Sequence, residues 1–333
     1  MPSGRVTYKN RVHEDALGYN SLPHVHVQTI APLRPTPFPP HPEEPLIEPE
    51  HWRHLPSKLA RPEMPAVKAE NVALAQPGYE GLTPKHVRSG WSHTGYKVLG
   101  MYRKLYLDPP KTGIGEGYNL LLTDSGLANC ATHIFAVYAY APPSAVPDPA
   151  ARRHKCPRWR REVCIYPTHA AIWAAYCARL PPMPKKPTKL KVIADPRPGG
   201  RRAYVLRLPM VPVAVPYPPM FFPVMQFVYT YRKSSFVNLL LPCADFVLPP
   251  DNFHDPPPEQ TIPRYAQALA ESFELRTLCR YAKNVHGAYR NMVALGVVED
   301  RMWDALDYAW KTILTAMDLS EKATAARQAS DET

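Results

Sequence analysis

The sequence predicts an α+β fold: an irregular mixed α/β core with a proline-rich extended N-terminal arm and C-terminal helices. Three observations predict it. Eleven prolines crowd the stretch from Ala31 to Pro65, too densely for a continuous helix or a central strand. Short apolar runs bounded by turn residues occupy the middle of the chain. Proline then disappears after Pro263, where apolar residues recur at helical spacing. The expected divisions are residues 1–80 as the arm, 81–260 as a basic mixed α/β portion, and 261–333 as a helical portion.

The chain of 333 residues is long enough to bury a substantial core, and its 42 prolines are more than twice the usual share of roughly 5%. Only 15 glycines accompany them, which excludes collagen and a flexible Gly-rich linker and favours stiff segments laid along a surface. Six thinly spread cysteines do not form the dense framework of a small secreted module, so a reducing compartment is expected. The opening MPSGRVTYKNRVHEDALGYN lacks the apolar core of a secretory signal and only weakly resembles a transit peptide.

Within the arm, Phe38 and Trp52 are spaced so that an extended chain could anchor them one after another in shallow grooves of a partner. Residues 81–106 mix basic and aromatic side chains, a combination that can hold phosphate or simply cover a wet surface. Tyr118–Leu122 and Ile134–Tyr140 read as buried strands separated by TDSGLAN, and they are expected to pair as neighbours. THAAIWAAYCARL reads as a short helix ended by Pro181.

The longest uncharged run, Leu208 to Tyr231, is long enough to cross a bilayer, but its six prolines would strip a spanning helix of hydrogen bonds. No transmembrane helix is expected. The run reads instead as an extended apolar lace followed by a strand from about Val224 to Tyr231, with Ser235–Leu241 as a further buried strand or short core segment. A helix should start near Pro263, direct Ala266, Leu269 and Phe273 to a core, and end near residues 284–287. A second, from about Val298 to Met317, carries Trp303 and Trp310 seven residues apart on one flank. That flank can pack within the chain or dock against another subunit.

Charge is the most informative feature for function. Ala151 to Arg207 holds fifteen Lys or Arg against Glu162 and Asp195, an excess larger than the whole chain's +11, so everything else is net negative. Concentrated charge makes a field directed at an anionic partner. The densest piece, RRHKCPRWRR, offers Arg152, Arg153, Lys155, Arg158, Arg160 and Arg161 around Trp159, which suits phosphate on RNA and also an anionic lipid surface or an acidic protein face.

Motifs for chemistry are absent or incomplete. His154, Cys156, Cys164, His169 and Cys177 lack the close ligand pairs of a zinc module, so no metal is expected. KTGIGEGYN has neither a dinucleotide fingerprint nor a Walker lysine, and no cofactor is expected. Ser125 with His133, and Cys164 with His169, lack the orienting partner and oxyanion donors that a nucleophile needs. No family motif is matched. The general build resembles accessory subunits of mitochondrial ribosomes and respiratory complexes, a likeness of architecture only. The expected role is a non-catalytic structural subunit of a large mitochondrial assembly, bound to several protein subunits. A ribosomal protein touching ribosomal RNA is favoured over a respiratory accessory subunit at an anionic membrane surface, a microtubule- or filament-associated protein, or an unrecognised enzyme.

Overall fold

The computed structural model describes residues 25–29, 47–102, 105–107, 116–139, 161–185, 190–194, 202–249 and 259–331. The fold is α+β, as expected. The chain divides into two units: Met1–Phe38 with Val67–Pro218, and Pro39–Ala66 with Pro219–Thr333.

The first unit is built on a mixed sheet of β1 (Val25–Thr29), β2 (Leu105–Leu107), β3 (Gly117–Leu122), β4 (His133–Ala139), β5 (Arg161–Thr168), β6 (Leu190–Ala194) and β7 (Arg202–Val215). The order is β1-β5-β4-β7-β3-β2, with β6 paired to β7. The two strands read around TDSGLAN are present, but they are not neighbours. β7 runs between them, antiparallel to β3 through Tyr204–Pro209 and parallel to β4 through Met210–Val215. Its length is the reason, because 14 residues give each neighbour its own half of one strand.

Two prolines in this central strand look forbidden, and the register shows why they are tolerated. The Met210 N–H reaches the Glu116 carbonyl at 2.9 Å, so it points to the β3 side. Successive N–H groups along a strand alternate sides, which turns position 212 the same way, past the point where β3 begins at Gly117. Position 209 faces the opposite side, where β6 pairs no further than Leu206 and β4 begins only at Met210. Both missing donors therefore fall where no ladder partner stands among the described residues.

Helices α1 (Ala69–Ala75), α2 (Pro84–Ser92), α3 (Gly95–Tyr102) and α4 (Ala170–Tyr176) complete this unit, and α4 packs against α1 and α2. α2 starts as its sequence dictates: Pro84 sits in the first turn and the Thr83 side chain accepts the His86 N–H. α4 is buried on every side, with Trp173 tilted against Phe135 of β4 at 5.2 Å between ring centroids.

The second unit contains α5 (Phe221–Thr230), α6 (Lys233–Leu240), α7 (Ile262–Ser272), α8 (Leu275–Leu295) and α9 (Asp300–Asp331). The strand expected at Val224–Tyr231 is helix α5, and Ser235–Leu241 falls mostly in helix α6. Residues 223–230 of α5 are all buried, so neither a period of two nor one of 3.6 could show in the sequence. Pro223 lies in the first helical turn, where its missing N–H removes no internal bond. The helix expected from Pro263 to about residue 284 is two: Phe273 is extended, and its ring meets Tyr281 edge-on at 5.2 Å. α8 then runs to Gly296, whose positive φ of 69° and the Val297 N–H to Met292 carbonyl bond close a glycine-terminated cap. α9 runs past the expected end at Met317, to Asp331.

The described part of the proline-rich arm, residues 47–66, has no helix or strand beyond a single 3₁₀ turn at Trp52–His54. It does not extend away from the chain. It lies on the second unit, fastened by Trp310, which donates its indole N–H to the Pro56 carbonyl at 2.8 Å, and by Tyr289, whose hydroxyl donates to the Ala60 carbonyl at 2.8 Å. The physical reason is that the aromatic anchors the arm needed are supplied by α8 and α9. Residues 69–75 of the expected arm are helix α1, packed on α4.

Candidate functional site

The basic candidate, residues 152–161, lies outside the described residues except for Arg161, which begins β5. Its place in the topology is nonetheless set. The segment joins Ala139, the end of β4, to Arg161, and these two strands pair antiparallel with Tyr138 opposite Val163. Thr29, the last residue of β1, pairs with Arg161 at this same end of the sheet, and β7 finishes here too, since Val215 pairs with Ala139. Three other basic residues of this run sit elsewhere. Lys191 on β6 and Arg202 and Arg207 on β7 pair within the first residues of β7, and a strand of 14 residues at about 3.3 Å each separates its ends by roughly 40 Å. One continuous basic run in the sequence thus serves two ends of the sheet.

The aromatic candidates have other partners. Phe38 is outside the described residues. Trp52, Trp303 and Trp310 are buried in the second unit, and Trp303 donates its indole N–H to the Val297 carbonyl at 2.9 Å. The indole N–H groups of Trp303 and Trp310 are both taken by the chain itself.

A polar cluster at β4 and β5 brings His133 and His169 together, not His133 with Ser125 or His169 with Cys164 as weighed from the sequence. His133 and His169 are both buried, and Trp91 of α2 lies 4.7 Å from the His169 ring. Thr132 ties the cluster together: its hydroxyl meets His133 Nδ1 at 3.1 Å and accepts the Ala170 N–H at 2.8 Å, while its own N–H reaches the Thr168 carbonyl at 2.8 Å. Arg88 donates to the Ala175 carbonyl at 2.8 Å near the end of α4 and stands over the Tyr176 ring. Burial, with the positive fields of Lys185 and His133 adding to it, pushes the His169 imidazole down to about 4, so it is neutral at physiological pH. The repeated Thr-His pairs, Thr132-His133 and Thr168-His169, were the signal available in the sequence.

The five described cysteines, Cys130, Cys164, Cys177, Cys243 and Cys279, are buried and none of them forms a disulfide with another. Burial pushes Cys130 and Cys279 up to about 11, which removes the thiolate that reactivity requires. Cys164, His169 and Cys177 form no ligand group with one another among the described residues. The one such set there is Glu48, Glu50 and His51, all exposed, with their ligand atoms within 4.8 Å of one another. No helix among the described residues is long and apolar enough to cross a membrane.

Two family matches place these features. Residues 62–216 match the family described as the Clampless protein 1 N-terminal domain, and residues 234–333 match the Clampless protein 1 C-terminal domain. Nothing among curated proteins matches, and no solved structure does. The first range follows the main part of the first unit, and the second falls inside the helical unit. The segment 47–61 and helix α5 lie outside both ranges.

Proposed function

Taking as premise that the chain resembles both domains of Clampless protein 1 in chain order, we propose that it is a non-catalytic assembly protein. In this reading it holds an anionic partner, RNA in the first instance, at the Ala139–Arg161 end of its sheet. The observation that carries it is the charge of the β4–β5 connection, six Lys or Arg between Arg152 and Arg161, anchored at both ends to paired strands. Concentrated positive charge steers association with phosphate. Trp159 within it supplies a face on which a base can stack. A large mitochondrial assembly, ribosomal before respiratory, is the setting we propose, supported by the chain's proline-laced build.

The test replaces Arg152, Arg153, Lys155, Arg158, Arg160 and Arg161 with glutamine in the full chain and measures RNA affinity against salt. Each lost phosphate contact on a single strand should flatten the log–log salt slope by about 0.7. A parallel set, Lys191, Arg202 and Arg207 to glutamine, should change the slope less, because these residues lie in β6 and the first half of β7, toward the other end of the sheet. If the second set carries the effect, or neither does, the assignment to the β4–β5 connection fails. Native purification identifies the assembly: co-purifying mitochondrial ribosomal RNA supports the ribosomal setting, whereas membrane complex subunits or tubulin overturn it.

A further inference from the structure

We propose that the face of α8 and α9 now covered by residues 52–61 is a recognition surface for an extended, proline-broken basic segment, and that it accepts such a segment from a partner protein in place of the chain's own. The contacts run in strict order. Arg53 pairs with Glu321 at 2.9 Å, the Pro56 carbonyl accepts from Trp310, Lys58 pairs with Asp307 at 3.5 Å, and Arg61 pairs with Asp300 and stands over the Trp303 ring at 5.5 Å. As the segment's numbers rise those of α9 fall, so it lies antiparallel to the helix. Spacing matches as well. From Pro56 to Arg61 extended chain at about 3.1 Å per residue covers about 15 Å, and the ten helical steps from Trp310 to Asp300 at about 1.5 Å cover the same.

The mode of reading is what makes this surface transferable. Trp310 and Tyr289 donate to the backbone carbonyls of Pro56 and Ala60, groups that any peptide offers. Leu55 has φ −66° and ψ 142°, the polyproline conformation, which Pro56 after it favours. Aromatic donors set against a proline-bearing extended chain are a general recognition mode, low in ordering cost because the ligand is already stiff. Selectivity comes from Trp52 and Leu59, both buried, and from the acidic rim of Asp300, Asp307 and Glu321. The rim pairs are largely exposed, so they orient the ligand and add little affinity. The own segment is held by two backbone hydrogen bonds, the buried Trp52 and Leu59 and exposed ion pairs, and a partner segment offering the same groups competes for the same face. It also lies upstream of both matched ranges, so the covered surface belongs to the matched C-terminal domain and its cover does not.

The experiment uses a fluorescein-labelled peptide of residues 47–66 as probe. Its binding to the full chain is compared with binding to the full chain carrying Arg53→Glu, Lys58→Glu and Arg61→Glu, which repels the resident segment from the acidic rim. The peptide should bind the triple variant at least tenfold tighter than the parent and weaken as salt rises, while a peptide with the same three reversals should not bind it. Parent-like helical circular dichroism in the variant without tighter peptide binding overturns the proposal, as does equal binding of the reversed peptide. If the variant loses helix, the unmodified peptide must restore it when added in trans, and failure to do so counts against the proposal. Concentration-dependent dimers of the full chain without peptide overturn it in favour of a second copy's segment as the occupant.

Discussion

Trp310 donates its indole N–H to the carbonyl of Pro56 at 2.8 Å across 254 positions of sequence. Almost all of the Trp310 side chain is buried, and its ring also lies 6.3 Å from that of His286. One side chain therefore contributes both to the packing of the helical unit and to holding the proline-bearing segment. The two roles separate by substitution. Trp310→Phe keeps most of the apolar volume and removes the donor, costing about 1–2 kcal/mol, while Trp310→Ala also opens a cavity and costs about 3–5 kcal/mol. Urea unfolding of the full chain should give that order. Equal losses would mean that the hydrogen bond to Pro56 dominates and packing does not.

A second prediction concerns Asn238. Its amide clamps the backbone of Leu248 at both points, donating to the Leu248 carbonyl at 3.1 Å and accepting the Leu248 N–H at 3.1 Å. Both bonds are buried. Asn238→Leu leaves a buried donor and acceptor without this partner, at about 1–3 kcal/mol for each, whereas Asn238→Asp keeps the acceptor for the N–H. The leucine variant should be the less stable of the two near neutral pH, as read from denaturant midpoints. A leucine variant as stable as the parent would show that the clamp contributes nothing.

Strand β7 supplies a third. Position 212 turns its backbone nitrogen away from β4, so Pro212→Ala should change stability by less than about 1 kcal/mol. Position 211 turns the other way, into the pairing with β4, and Val211→Pro removes a ladder donor at a cost of about 3 kcal/mol or more. Thermal melts of the two variants would check the assigned register. A tolerated Val211→Pro would require the N–H alternation derived from Met210 to be shifted by one residue.

The same strand shows why part of the fold was legible in the sequence and part was not. Tyr118–Leu122 and Ile134–Tyr140 could be read because their apolar runs end in turn residues. That β7 lies between them could not, since pairing depends on register across distant segments. In α5, uniform burial erased the periodicity that separates helix from strand. The amphipathic α7 and α8 kept theirs but were read as one helix ending near residues 284–287, because their break at Phe273 left no proline or glycine to mark it, and α8 runs on to Leu295. Among the candidate residues, the basic run stood out by composition alone. Trp303 and Trp310 were visible as a flank, but only the contacts of Pro56 and Arg61 show that the chain itself covers that flank.

The histidine cluster leads to the last prediction. His169 sits just before α4 and is buried against Trp91, with Lys185 and His133 as its charged or titratable neighbours. Its folded value of about 4 lies below the unfolded 6.5, so between those values the unfolded chain binds a proton that the folded chain refuses. Unfolding is therefore favoured as pH falls, and the stability associated with the neutral imidazole is complete above about 6.5, declines through the window, and levels off below about 4. The full shift corresponds to roughly 3–3.5 kcal/mol at most. His169→Gln cannot titrate there, so its stability between pH 7 and pH 4.5 should fall less steeply than the parent's in parallel urea titrations. His133→Gln, which removes a neighbour whose positive field opposes protonation, should raise the folded His169 value toward the unfolded one, so the decline still begins near 6.5 but is smaller and levels off at a higher pH than in the parent. Parallel pH profiles for the parent and His169→Gln would show that other groups dominate the acid response of this unit.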